Sequence, residues 1–210
     1  MRRCNRPIKL AFLSAVIALS PAFAAHATGA EAATPPVSFA LQTLKEENVE
    51  GPDVERTYFT VGADRIAIGK PQGCQVRVEE NSLVLVLTGL GLDGEIRISQ
   101  SPFTSDFDLA QNALKYRDSG ASTIPRGSER IEVQSPVMNL YPFNGWKSLG
   151  FTWTYSFRGR AMNRTVGYIN LEVGAQVVVT TLASRADAEK VEATAKQFIS
   201  SWWVMKRAKS

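Results

Sequence analysis

Histidine is almost missing from this chain, and cysteine is scarce. Among 210 residues there is one histidine, His26, and there are two cysteines, Cys4 and Cys74. A serine or cysteine nucleophile needs a neighbouring base, most often histidine, and zinc sites are built mainly from histidine and cysteine. The sequence therefore contains no motif for either kind of site. It predicts no catalytic residue, no cofactor and no metal centre.

The only histidine lies in an N-terminal segment that has the three parts of a secretory signal peptide. Four basic residues precede an apolar stretch at residues 10–19, which is too short for a stable membrane span. Pro21 breaks the helix, and two small-x-small cleavage motifs end at Ala24 and Ala27. We expect residues 1–27, or the first 24, to be removed, which predicts a periplasmic or secreted protein.

Charge is balanced once this segment is set aside. Four of the 24 Lys and Arg residues and none of the 20 Asp and Glu residues lie before Thr28. The remaining chain therefore has as many basic as acidic side chains, and it lacks the positive excess that nucleic acids select. The sequence predicts no nucleic-acid partner and no stable membrane anchor after cleavage.

Composition divides the rest of the chain into three parts. Residues 28–54 are rich in Ala, Thr, Gly and Pro and then in acidic residues, which is typical of a flexible linker, although 37–44 has the pattern of a short strand or helical turn. A single domain is expected at 55–205, followed by a basic tail at 206–210. Cys74 has no disulfide partner in the mature chain, and the missing histidine favours a small buried side chain over a nucleophile.

Alternation of apolar and polar residues predicts antiparallel strands through most of this domain. The predicted strands cover residues 58–61, 65–68, 74–78, 83–87, 95–99, 130–134, 151–157, 165–173 and 176–183. The strand at 151–157 has an aromatic face and a hydroxyl face, the latter formed by Thr152, Thr154 and Ser156. The strand at 176–183 is apolar on both sides, as expected for a central strand covered on both faces.

A first helix is predicted after the fifth strand. Ser105 is the expected N-cap, and Phe107, Ala110 and Leu114 share one helical face. Gly120 is expected to end this helix.

A second helix closes the domain. Ser184 is its expected N-cap, and Val191, Ala195, Phe198 and Trp202 recur at the spacing of a buried helical face. The predicted fold class is therefore α+β, an antiparallel sheet flanked by helices with a long helix at the C-terminus.

The pattern in residues 145–203 resembles the C-terminal half of the PsbP-like superfamily, which includes the photosystem II extrinsic subunit and DcrB-type bacterial exported proteins. The residues that carry the resemblance are 151–155, Gly167-Tyr168-Ile169, 177–181 and 198–202. The resemblance implies an α/β/α sandwich and a role in binding, assembling or chaperoning other proteins. It implies no active site. The aromatic segment at 136–146 does not match the short connection usual in that family.

Two further patterns have structural explanations. Residues 89–94 spell G-x-G-x-x-G, but a predicted strand follows them instead of a helix, so a turn is favoured over a dinucleotide site. Three carboxylate pairs are candidates for acid/base chemistry, and each also fits a turn or a helix start. These pairs are Glu79 with Glu80, Asp93 with Glu95, and Asp106 with Asp108.

The segment at 136–146 is the main candidate for function. Its large side chains either form a lid over the domain's own sheet or contact a partner. We hypothesise an exported, non-enzymatic binding or assembly factor, with a protein or peptide partner in the cell envelope. The alternative is an exported hydrolase whose carboxylates converge from separate loops. The candidate contact residues are Met138, Leu140, Tyr141, Phe143 and Trp146.

Overall fold

The structure is a computed structural model. It describes residues 34–46, 54–69, 73–104 and 106–205. The signal peptide, the N-cap Ser105 and the basic tail predicted from the sequence lie outside these ranges. No helix within them is long and apolar enough to cross a membrane.

Strands dominate the described residues. The strands are β1 (Val37–Glu46), β2 (Val54–Val61), β3 (Asp64–Ile68), β4 (Gln75–Glu79), β5 (Ser82–Val86), β6 (Gly94–Gln100), β7 (Glu129–Val133), β8 (Val137–Met138), β9 (Lys147–Phe157), β10 (Arg160–Asn170), β11 (Gln176–Ser184) and β12 (Trp203–Met205). The helices are α1 (Ala113–Ala121) and α2 (Ala188–Ser200). The predicted α+β class, with antiparallel pairing, is confirmed.

A four-stranded sheet has the order β1-β2-β3-β12. Its first strand lies within the predicted linker at 28–54, where 37–44 has the pattern of a short strand, and residues 37–46 pair with β2, so this part of the linker is ordered. Alternation explains the strand, since Val37 and Phe39 are buried while Ser38 between them is exposed. Phe39 packs against Phe59 of β2, with ring centroids 5.0 Å apart.

The larger sheet has the order β4-β5-β6-β11-β10-β9-β7, with β8 also paired to β9. The prediction of a central strand at 176–183 is confirmed, because β11 lies between β6 and β10. Val177 and Val179 of β11 belong to one apolar core and Val178 belongs to another. Both faces of this strand are therefore covered by apolar side chains.

The buried apolar residues form two cores, and one helix packs into each. The α1-side core combines Tyr116 of α1 with Trp153 and Tyr168 of the sheet. The α2-side core combines Phe198 of α2 with both sheets and includes Phe59. The alternation predicted for 151–157 is present in β9. Its aromatic residues enter the α1-side core, and its hydroxyl residues lie on the opposite face.

Helix α1 is shorter than predicted. It begins at Ala113, and Leu114 is 66% exposed, so the predicted apolar face is wrong at this position. Gly120 is the penultimate residue of the helix, which ends at Ala121, one residue later than predicted. A Cβ atom on Gly120 would lie 2.5 Å from Trp153 Cη2, so the missing side chain allows the helix to approach the aromatic face of β9.

Helix α2 ends earlier than its apolar spacing indicates. Val191, Ala195 and Phe198 are buried as predicted, but the helix stops at Ser200. Trp202 is buried beyond the helix end, and the chain then continues as β12 beside β3. The Ser201 hydroxyl, which accepts a hydrogen bond from Gly69 N at 2.9 Å, ties this turn to the end of β3.

Candidate binding surfaces

The aromatic segment packs into a hollow in the large sheet. Gly150 of β9 and Gly167 of β10 are direct cross-strand partners. A Cβ atom on Gly167 would lie 2.5 Å from Tyr141 Cε2, and one on Gly150 would overlap the Leu140 side chain. The two glycines therefore leave space that Leu140 and Tyr141 fill.

This packing corrects the predicted contact surface. Leu140, Tyr141 and Trp146 are buried in the α2-side core, so they are not available to a partner. Their burial is favoured because the glycine hollow removes large apolar surface from water. Phe143 is half-buried against the same core, and Met138 is 52% exposed. Of the five predicted contact residues, Met138 is therefore the one that the surface presents most fully.

The buried aromatic side chains have few polar contacts. Trp146 packs against Trp202 with ring centroids 6.5 Å apart, and neither indole N–H has a hydrogen-bond partner in the described structure. The Tyr141 hydroxyl also has no hydrogen-bond partner there. Burial, with a smaller contribution from the negative charge of Glu192, raises the pKa of Tyr141 far above its ordinary value. Tyr141 therefore stays neutral and acts as an apolar filler.

Four aliphatic side chains lie exposed beside this buried segment. Ile131 and Val133 belong to β7, and Val137 and Met138 belong to β8, and each is between 49% and 52% exposed. We call these four residues the edge strip. Both strands pair with β9, and no described strand pairs with the outer edge of β7. The edge strip is thus a set of exposed aliphatic side chains at one margin of the large sheet, with Val137 and Met138 on opposite faces of β8.

The backbone of β7 is irregular. Arg130 has φ +51°, and the pairing register shifts between Glu129 and Glu132. Such a bulge, together with charged side chains, opposes the addition of another strand at a sheet edge. The edge strip is therefore suited to packing through side chains and not through backbone hydrogen bonds.

A groove of about 700 Å³ lies where the small sheet meets β4. Its floor is apolar, because Leu41, Cys74 and Val76 pack against the α2-side core. The groove is lined by Leu41, Glu55, Arg56, Thr57, Ile68, Gly69, Cys74, Gln75, Val76, Arg77 and Trp203. We call it the β4 groove. Its volume falls in the range of sites that bind small molecules or short segments.

Cys74 is the only cysteine among the described residues, and it is half-buried in the β4 groove. Burial raises the pKa of its thiol. The neutral thiol predominates at physiological pH, and it is a much weaker nucleophile than the thiolate. The groove therefore uses Cys74 as part of an apolar floor.

Each predicted carboxylate pair has at least one member that is engaged in local contacts. Glu79 and Glu95 both form ion pairs with Arg97, at 3.1 Å and 3.2 Å. Asp93 pairs with Arg160. Asp108 Oδ1 accepts hydrogen bonds from the backbone N–H groups of the turn that precedes α1. The described residues contain no group of three or more His, Cys, Asp or Glu side chains that could hold a metal ion.

The glycine-rich motif forms a turn, as predicted. A 3-10 turn at Thr88–Leu90 is followed by Gly91 in the left-handed conformation, with φ 66°. The chain then enters β6, so no helix begins at this motif. The arrangement lacks the helix N-terminus that would face a pyrophosphate.

The hydroxyl face of β9 borders a polar cleft of about 520 Å³ beside α2. Thr165 is almost fully buried there, its hydroxyl lies 3.0 Å from that of Thr152, and it donates a 3.3 Å hydrogen bond to Glu192. Glu192 in turn pairs with Lys196 at 2.9 Å. These contacts join the sheet to α2, so the hydroxyl groups contribute to packing between the two elements.

Solved structures that are similar to this chain are only remotely so, and three of them illustrate this. No family model and no curated protein matches it. A protein of unknown function, PA94 from Pseudomonas aeruginosa, has a TM-score of 0.41 and 14% identity, covering 80% of this chain and 99% of that chain. LpqN from Mycobacterium tuberculosis, involved in cell envelope biogenesis, has a TM-score of 0.36 and 12% identity, and the match covers 83% of each chain. The Ran-binding protein Mog1p from Saccharomyces cerevisiae has a TM-score of 0.45 and 10% identity, and the match covers 78% of this chain and 96% of that chain. Similarity at this level identifies no partner, ligand or activity.

Proposed function

We propose that this chain is an exported, non-enzymatic binding or assembly factor. Its fold would be an α/β/α sandwich of the PsbP-like type. It would contact a protein partner in the cell envelope through the edge strip. The observation that carries the proposal is the edge strip itself, four aliphatic side chains that are each about half exposed on the two strands that pair with β9. Large apolar side chains exposed at a sheet margin are costly in water, and several of them together suit an interaction site.

The surroundings of the edge strip favour a protein over a small molecule. None of its four residues lines the β4 groove or the polar cleft, whereas small ligands prefer concave sites. Exposed Glu129, Arg130 and Glu132 lie on the same strand as Ile131 and Val133. An apolar centre with a charged rim is the usual anatomy of a protein interface.

The edge strip is also held by the core. Val137 and Met138 pair with Gly150 and Leu149 of β9. Two residues after Met138 lies the buried Leu140. A surface fixed in this way loses little conformational entropy when a partner binds.

Site-specific photo-cross-linking tests this proposal. A photoreactive residue at Ile131 or Met138 should give a discrete cross-linked species in intact cells, because a docked partner lies within reach. Leu114 is the matched control, since it is a large aliphatic residue that is 66% exposed on α1. Identical adducts from position 114, or no adduct from the strip positions, would contradict the proposal. The readout is the pattern of bands and their identification by mass spectrometry.

Export is a separate expectation with its own measurement. Because residues 1–27 have the three parts of a signal peptide, the mature protein should begin at Ala25 or Thr28. Intact-mass analysis of the periplasmic fraction measures this directly. A full-length chain retained in the cytoplasm would show that the segment is not cleaved.

A further inference from the structure

We propose that the outer edge of β4 and the β4 groove bind an extended peptide segment of a partner protein, in which apolar and acidic side chains alternate. This site lies at the opposite margin of the large sheet from β7. It does not depend on the edge strip, so either proposal can fail without the other.

The edge of β4 is regular where that of β7 is not. β4 pairs continuously with β5 from Gln75 to Glu79, without a register shift, and no described strand pairs with its other side. It contains no proline and no residue with positive φ. A regular open edge offers backbone N–H and C=O groups to an incoming strand, which is how extended peptides add to a sheet.

The β4 groove follows this edge. Four consecutive residues, 74–77, line it, so both faces of the strand border the same space. Asn81, in the turn after β4, accepts a hydrogen bond from Phe39 N and donates one to Val37 O, both at 2.9 Å. These bonds fix the small sheet against the β4–β5 hairpin, so the groove exists before any peptide binds.

The side chains along β4 alternate in character. Cys74 and Val76 pack against the α2-side core, and Val76 pairs with the fully buried Leu85. Gln75, between these two residues, and Arg77, after Val76, point to the opposite face of the strand. An added strand places its own residues alternately beside these two faces. Every second residue of the peptide would therefore meet an apolar floor, and the residues between would meet polar side chains.

Charge selects acidic residues for the polar positions. Arg77 has no ion-pair partner in the described structure, and it is exposed. At the rim, the guanidinium of Arg56 lies 5.1 Å from the centre of the Trp203 ring. Glu55 is the one acidic side chain among the described lining residues. Arg77 is therefore the cation at the polar positions, and its charge complements a segment that carries carboxylates.

Alkylation of Cys74 by N-ethylmaleimide reports occupancy of the groove. The probes are an eight-residue peptide of alternating Val and Glu, the same peptide with Lys in place of Glu, and the Val-Glu peptide with alternate backbone nitrogens methylated. Mass spectrometry distinguishes Cys74 from Cys4. We expect saturable protection by the Val-Glu peptide, about tenfold at ten times its dissociation constant. The Lys peptide and the methylated peptide should protect little, because they lack the charge and the backbone donors.

A charge-reversal variant sharpens the test. Arg77→Glu should lose protection by the Val-Glu peptide and gain it with the Val-Lys peptide, while Arg117→Glu, on the exposed side of α1, should behave like the parent. Equal protection by all three peptides would overturn the proposal. Protection by laurate alone would also overturn it, by assigning the groove to an amphiphile. The methylated peptide tests the parent protein, so the proposal stays falsifiable even if Arg77→Glu does not fold.

Discussion

Replacing Trp202 with Ala should lower the free energy of unfolding by about 3–5 kcal/mol. Trp202 is 1% exposed and joins three parts of the fold. Its ring contacts Phe59 of the small sheet at 5.1 Å, Phe198 of α2 at 5.7 Å and Trp146 of the buried aromatic segment at 6.5 Å, measured between centroids. Truncation therefore removes large buried apolar area and leaves a cavity that three rigid elements cannot easily close.

The neighbouring tryptophan is the matched control. Trp203 is 37% exposed and lies under Arg56, so Trp203→Ala should cost only about 1 kcal/mol. Urea unfolding followed by circular dichroism measures both variants. Equal losses for the two substitutions would show that Trp202 does not hold the elements together as its contacts indicate.

Most of the strands could be predicted because alternation is a local property. The faces of β9 are an example, since Phe151, Trp153 and Tyr155 enter one core while Thr152 and Thr154 lie on the other side. Pleating alone produces this division, and no distant residue is needed to foresee it.

The ends of the helices could be predicted only in part, because distant contacts decide some of them. Gly120 correctly signals the end of α1, which comes one residue later, but its contact with Trp153, which occupies the space that a side chain would need, depends on tertiary packing. The spacing of Trp202 fits a continued α2, but the chain leaves the helix to form β12 beside β3. At Trp202, tertiary packing therefore overrides the local preference for helix.

The candidate contact residues were misplaced for a related reason. Composition identifies the segment at 136–146 as unusually apolar, but it does not say whether the side chains face inward. The informative signal is elsewhere, in Gly150 and Gly167, because glycine inside a strand of otherwise bulky residues indicates a close approach by another group. The edge strip and the β4 groove depend on strand order, which no local pattern contains.

The glycine hollow leads to the second large effect. Gly150→Ala should destabilise the parent protein by about 1–3 kcal/mol, because the new methyl group would overlap the Leu140 side chain. Leu140→Ala should cost about 2–5 kcal/mol through the cavity it leaves. In the double variant the methyl group at 150 enters that cavity. Gly150→Ala should therefore be nearly neutral in the Leu140→Ala background, since alanine also suits a strand better than glycine.

The double-mutant cycle distinguishes a filled hollow from a general sensitivity of β9. We expect a coupling free energy of about 1–3 kcal/mol between positions 140 and 150, obtained from urea unfolding of the parent, both single variants and the double variant. A second cycle with Leu140→Ala and Phe198→Ala is the control, since the clash at Gly150 plays no part in it. Simple additivity at 140 and 150 would mean that Leu140 does not occupy the hollow.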